Sequence, residues 1–292
     1  MPRCFKTVQC TVDQCKMSST RRSMSHYDPA VAQVEKALQL AQSSNVPPEL
    51  LQTLELACDL IQKRDDYTDS NTSYDSAACR NILEQTLKHD WDAVHRQGKT
   101  TWNLRPGMMT GRLEGQFLKS LVSIHKCKKI LDIGMFTGYS ALSMAEALPA
   151  DGKLITLDQD IYLKELVEGQ FFKQSPHGKK IEIRIGPAIN TVKKLTADGE
   201  QFDIIFLDAH QGDYVEFLEY IFGQNLLVPG GTLLIDNAFV YGTGYTSNPR
   251  GGSANRFTDV LASNPNLHRV LVPLRDGILI VRRKSDVEGT VD

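Results

Sequence analysis

Two textures divide this chain. Over residues 28–104, apolar positions recur every three or four residues, as on one face of a helix. Asp28-Pro29 reads as a helix start, with Asp as N-cap and Pro at the first helical position. Val31, Val34, Leu38 and Ala41 follow at helical spacing. Asn45-Val46-Pro47-Pro48 breaks that helix, and Leu50, Leu51, Leu54, Cys58 and Ile61 mark a second. The polar stretch from Arg64 to Ser76 reads as a loop, and a further helix is predicted from Cys79 to Arg96.

From about residue 105, short apolar runs alternate with amphipathic segments. The runs are Lys129–Ile133, Leu154–Leu157, Ile181–Ile185, Phe202–Leu207 and Gly231–Ile235. Helical patterns lie between them at Ser140–Leu148, Tyr162–Gln174, Ala188–Thr196 and Tyr214–Leu227. Such alternation predicts an α/β fold, a parallel sheet with helices on both faces. The end differs: Arg269–Pro273 and Gly277–Arg282, joined by Leu274-Arg275-Asp276, read as an antiparallel hairpin. The predicted organisation is a tail over 1–27, a helical segment over 28–104, the α/β domain over 105–284 and a short tail over 285–292.

Composition narrows the classes. With 33 basic and 35 acidic residues and a formal charge of −2, the 292-residue chain has no electrostatic footprint for nucleic acid. Apolar residues make up 41%, enough to exclude wholesale disorder. No run approaches the ~18 apolar residues of a membrane span. Six scattered cysteines, with no Cys-x-x-Cys pair, predict reduced thiols in a cytoplasmic protein, with Cys4, Cys10 and Cys15 exposed in the tail. The first 25 residues are rich in Arg, Lys, Ser and Thr with one acid, Asp13, so mitochondrial import is the alternative.

Candidate chemistry gathers at the carboxyl ends of the strands, where open α/β sheets bind ligands. The first strand runs into Asp132-Ile133-Gly134-Met135-Phe136-Thr137-Gly138-Tyr139-Ser140. Its Gly-x-x-x-Gly spacing differs from the dinucleotide fingerprint, and Asp132 suits a cationic amino group better than a pyrophosphate. Asp158 closes the second strand, where a carboxylate can accept from both hydroxyls of a ribose. As N-cap of the next helix, Asp160 is the better candidate. Together these features predict a nucleoside-bearing ligand. Asp208 ends the fourth strand and Asp236-Asn237 the fifth, an all-oxygen donor set that favours a hard cation such as Mg²⁺ over zinc.

On these residues the chain resembles the cation-dependent, S-adenosylmethionine-dependent O-methyltransferases, the caffeoyl-CoA and catechol group. The matching stretches are Met108-Met109-Thr110, Glu114-Gly115-Gln116, Asp132-Ile133-Gly134, Thr137-Gly138-Tyr139-Ser140, Gly186-Pro187-Ala188, Asp208-Ala209, Asp236-Asn237 and Asp276-Gly277-Ile278. A closer resemblance, carried by Ser44-Asn45-Val46-Pro47, Gly134–Gly138, Ser175-Pro176-His177-Gly178 and Pro273–Gly277, is to the O-methyltransferases of mycosporine biosynthesis. The resemblance implies a Rossmann-like class I methyltransferase sheet, a small-molecule acceptor and a homodimer. It implies cofactor contacts from Met108, Thr110, Gly134, Ser140 and Asp208, with Asp132 near the amino group, Asp158 on the ribose and Ala188 at the adenine. It also implies a cation on Asp208, Asp236 and Asn237, and demethyl-4-deoxygadusol as acceptor.

Two departures bear on catalysis. Many relatives have Asp-Ala-Asp-Lys after the fourth strand, and here it reads Asp208-Ala209-His210-Gln211. Glutamine takes no proton, so either His210 is the general base or no side chain is. Many relatives also carry a Trp where this chain has Val240, which suits an alicyclic acceptor better than a flat catechol. A catechol or hydroxycinnamoyl methyltransferase is the alternative within the family; a nicotinamide dehydrogenase and a binding protein without activity are alternatives outside it.

Overall fold

A computed structural model describes residues 28–242, 244–246 and 256–289. The tail expected over 1–27, with its three cysteines and the import alternative, lies outside the described residues.

The helical segment begins as predicted. Helix α1 (Pro29–Gln42) is capped by Asp28, whose Oδ1 accepts from Ala30 N at 2.8 Å. Helix α2 (Pro48–Ser70) runs on through the stretch expected to be a loop, as far as Ser70. Local bonds compensate for its polarity: Gln62 Nε2 donates to Asp66 Oδ1, and Thr68 Oγ1 donates back to the Arg64 carbonyl. The single helix expected over Cys79–Arg96 is two helices, α3 (Ala77–Lys88) and α4 (Trp91–Arg96). His89 is extended and Asp90 recaps the chain, its Oδ1 accepting from Ala93 N at 2.9 Å.

After them come helix α5 (Arg112–His125), strand β1 (Lys129–Ile133), α6 (Tyr139–Ala147), β2 (Lys153–Asp158) and α7 (Ile161–Gln170). Then follow β3 (Ile181–Ile185), α8 (Ala188–Ala197), β4 (Phe202–Leu207), α9 (Tyr214–Leu218) and β5 (Leu227–Ile235). Helix α10 (Arg256–Ser263) and strands β6 (Leu267–Val272) and β7 (Ile278–Arg283) complete the order. The helix expected over Tyr214–Leu227 stops early, giving way to a π-helical turn at Glu219–Gly223.

The sheet has the order β3-β2-β1-β4-β5-β7-β6. Strands β1 to β5 are parallel, and β7 runs antiparallel to both β5 and β6. The predicted hairpin therefore forms, although the strand inserted beside β5 is the last one. Strand order reverses between β1 and β4, which places the ligand crevice of such folds at their carboxyl ends.

Alternation along the strands feeds two cores. Ile130, Ile204 and Phe206 face one side with Leu118, Leu142 and Val167, while Leu131, Ile133, Ile205 and Leu207 face the other with Val192, Phe217 and Phe257. The near-continuous apolar strands follow from burial on both faces.

Helices α3 and α4 belong to the first of these cores. Thr86 Oγ1 donates to Thr137 Oγ1 at 3.0 Å, Trp91 Nε1 donates to the Thr86 carbonyl, and Trp91 packs on Phe136 with ring centroids 4.9 Å apart. This part of the helical segment thus braces the glycine-bearing turn after β1. Among the described residues, no helix is long and apolar enough to cross a membrane.

Ile82 of α3 is fully buried in that core. Ile82→Ala is expected to destabilise the whole chain by about 2–5 kcal/mol, with helix and sheet signals still unfolding together in urea. Separate transitions for the two signals would refute the shared core.

Candidate active site

Backbone geometry comes first. Gly134 follows β1 with φ 111°, and a Cβ there would fall inside the van der Waals shell of the Asp208 carbonyl oxygen. Only glycine lets the β1 turn lie this close to the end of β4. Gly138 also has a positive φ and opens α6 against Phe172 and Val167.

Asp132 lies beneath this turn, fully buried. Thr156 Oγ1 donates to it at 2.6 Å and Ser140 Oγ approaches its two oxygens at 3.3 and 3.4 Å. Burial pushes its carboxyl up to about 7, against these hydroxyl bonds and with help from Asp158. Asp158 accepts from the backbone N–H of Phe136 at 3.0 Å and of Asp160 at 3.1 Å. Burial raises its carboxyl to about 6, opposed by those amides. A carboxylate has about four lone-pair sites, so these amides leave acceptor capacity for a ligand.

Asp160 does occupy the N-cap position of α7, but its side chain makes no cap bond. It accepts instead from Thr101 N and Thr101 Oγ1. Ala188 is the first residue of α8, at the end of β3. Thr110 is buried and Met108 is 53% exposed, so the two flank the crevice differently.

The structure brings Asp208, Asp236 and Asn237 together. Asn237 Nδ2 donates to Asp208 Oδ1 at 2.8 Å, and Asn237 N donates to Asp236 Oδ1 at 2.7 Å. Asn237 sits at φ 63°, a conformation Asn tolerates and functional sites often hold. Burial drives the Asp208 carboxyl well above its ordinary range, helped by the neighbouring carboxylates of Asp236, Glu114 and Asp132 and opposed by Arg275. Among the described residues, no three His, Cys, Asp or Glu side chains form a metal-holding group.

Two site features had gone unread. Glu114, at 0% exposure, is held by Arg275 Nη1 at 2.7 Å, while its Oε1 is buried with no hydrogen-bond partner among the described residues. Both residues lie inside stretches singled out above, but two positions 161 apart give no sign of pairing. A cavity of about 510 Å³ opens beside them, lined by Asp66, Asp69, Arg80, Met109, Thr110 and Arg275.

The two departures take definite places. Gln211 Nε2 donates to the Asn237 carbonyl at 2.8 Å, so it ties the β4 loop to the β5 loop. His210 is exposed, its ring stacked on Trp102 and 3.7 Å from Asp213. Val240 follows the strained Asn237 turn, half-buried.

A doubly flanked parallel sheet with a glycine turn after β1, an acid closing β2 and an antiparallel last strand inserted beside β5 makes a Rossmann-like nucleotide-binding fold. Solved structures agree: the S-adenosylhomocysteine-bound methyltransferase PaMTH1 of Podospora anserina aligns with a TM-score of 0.64 at 25% identity, covering 78% of this chain and 96% of that one. The family model described as O-methyltransferase matches residues 76–284, and the chain belongs to that family and is an enzyme of its kind. Caffeoyl-CoA O-methyltransferase 1 of Eucalyptus globulus is 33% identical over 217 residues, 70% of this chain and 81% of the relative. O-methyltransferase ankF of Aspergillus thermomutatus is 29% identical over 61% of this chain and 80% of the relative.

Gly134→Ala is expected to lower stability by about 1–3 kcal/mol or more, because β1 and β4 must part. Gly169→Ala, where a Cβ meets nothing within 4 Å, serves as the control. Equal melting temperatures for the two variants would refute the close approach.

Proposed function

We propose that this O-methyltransferase uses S-adenosylmethionine and a divalent cation, most simply Mg²⁺, to methylate an enolic hydroxyl of a small cyclohexenone. Demethyl-4-deoxygadusol, converted to 4-deoxygadusol, is the acceptor of choice. The observation that carries the cation is the donor set: two carboxylates and an amide converge beside further buried acids, and their mutual repulsion is what a divalent ion would relieve. Asp208, Asp236 and Asn237 would hold it. When bound, the cofactor supplies an electrophilic methyl group, and the cation lowers the pKa of the acceptor's neighbouring oxygens and fixes their orientation.

The chain's own residues then have binding and orienting roles. Asp158 takes the ribose hydroxyls and Ala188 lies at the adenine. Thr110, Met108, Gly134 and Ser140 line the methionine end, and Asp132, buried beneath the turn, sets its negative potential. Holding the two reactants in line accounts for several powers of ten in rate. Proton removal needs little help from the protein, since an enol conjugated to a ketone ionises easily. That fits a glutamine tied to the Asn237 carbonyl and a histidine packed on Trp102. Val240 fits it too, because no aromatic wall is needed for a puckered ring. Caffeoyl-CoA, on which several relatives are named to act, is the alternative acceptor. A homodimer is the expected assembly, supported by Leu56, Leu60 and Tyr67 standing exposed along α2.

Purified protein assayed with labelled S-adenosylmethionine is expected to methylate demethyl-4-deoxygadusol faster than catechol or caffeoyl-CoA. Excess EDTA, Asp208→Ala and Asp236→Ala should each remove most turnover while the fold survives. Faster turnover of caffeoyl-CoA would replace the acceptor, and full activity in EDTA would remove the cation.

The pH dependence follows from Asp158, whose carboxyl sits at about 6. Only the ionised form accepts from both ribose hydroxyls, so S-adenosylhomocysteine affinity should hold above pH 6 and fall up to tenfold per unit below it. Asp158→Asn should bind weakly and flatten that limb in calorimetry. The same limb persisting in the variant would shift the titration to another group.

A further inference from the structure

Segment 97–105, between α4 and the turn at Pro106, touches two of the loops that follow the sheet strands. On one side Thr101 is fastened to Asp160 through its backbone N–H at 3.1 Å and its hydroxyl at 2.8 Å, two residues beyond Asp158 at the end of β2. On the other side the next residue, Trp102, stacks on His210, two residues beyond Asp208 at the end of β4. Strand β1 lies between β2 and β4, so two adjacent residues reach, one through its backbone and hydroxyl and the other through its ring, the loops that follow strands on either side of β1. Asn103 Nδ2 donates to Asp92 Oδ1 at 3.1 Å, which fixes the segment on its far side as well.

The two rings are nearly parallel, at 8°, with centroids 5.6 Å apart. Both are well exposed: Trp102 is 54% exposed and the His210 side chain 62%. Each ring therefore keeps a face open to a ligand. Gly212 leaves the space His210 needs, since a Cβ there would stand 2.7 Å from its Cε1.

We propose that Trp102 is a cofactor-binding residue, and that its indole and the His210 imidazole part to take the adenine of the cofactor between them. This rests on the reading of Asp158 as the ribose ligand, two residues from the Asp160 to which Thr101 is fastened, which brings the base within reach of the neighbouring indole. Two ring contacts of about 3.5 Å each require roughly 7 Å between the ring planes, more than the present 5.6 Å between centroids allows, so the rings must part. The pinned backbone means that side-chain rotation, and not opening of the segment, admits the base. His210 then serves as a stacking wall, which accounts for a histidine that faces Trp102 and not the carboxylates.

Titration of the full chain with S-adenosylhomocysteine and with adenosine, by calorimetry and by tryptophan emission, tests this. Trp102→Ala is expected to weaken both ligands by the same factor, about ten- to a hundredfold. Trp102→Phe should recover most of that affinity, because a ring remains. Emission should be quenched by either ligand in the wild type and unchanged in Trp102→Phe, since Trp91, the other tryptophan, is buried on Thr86 and Phe136. Equal losses in the Ala and Phe variants would overturn stacking. Wild-type affinity in Trp102→Ala, with Asp158→Ala weakened, would overturn the proposal and leave the cofactor site standing. Wild-type affinity in both would overturn the cofactor site itself.

Discussion

The approach of the Gly134 backbone to the Asp208 carbonyl is the constraint on which the site depends. It sets the gap between β1 and β4, the point where strand order reverses. From that gap follow the depth of Asp132 beneath the turn, the reach of the Phe136 amide to Asp158, and the place where Asp208 meets Asn237. A methyl group at residue 134 would wedge apart elements whose registers are fixed by parallel pairing along their whole length. The crevice is therefore built first by backbone, and side chains are hung on it.

Charge is the second constraint. Asp132, Asp208, Asp236, Glu114 and Asp276 gather within mutual influence, and burial and repulsion push the Asp208 and Glu114 carboxyls upward. Arg275 answers part of this, buried against Glu114 and held charged by Glu114, Asp236 and Asp276. Its backbone sits at φ 51°, a strained conformation for a non-glycine residue, which the pairing with Glu114 helps to hold. Such concentration of like charge does not stabilise a fold.

The helical segment shows how an appendage becomes part of a site. Helices α3 and α4 lie against the glycine turn through Thr86, Thr137, Trp91 and Phe136, and the segment after α4 meets Asp160 and His210. Arg112, at the start of α5, binds the Asp69 carbonyl at 2.6 Å, tying the end of α2 to the same region. Side chains from well before the strands thus shape the surface that covers the strand ends.

Short apolar runs alternating with amphipathic segments marked all five parallel strands, because burial on both faces makes such strands near-continuously apolar, and two further runs marked the final hairpin. Strand-end acids and glycines likewise marked Asp132, Gly134, Asp158, Asp208 and Asp236, since a parallel sheet brings all its carboxyl ends to one edge. Local pattern could not settle where α2 stops, because Gln62, Asp66 and Thr68 sustain a polar helix by bonds invisible to hydropathy. Nor could it give the insertion of β7 between β5 and β6, the Glu114–Arg275 pair, or Asp160 turning from its own helix to Thr101. Each of these joins residues far apart in the chain, and only the closed packing of the sheet and its helices decides which distant groups meet.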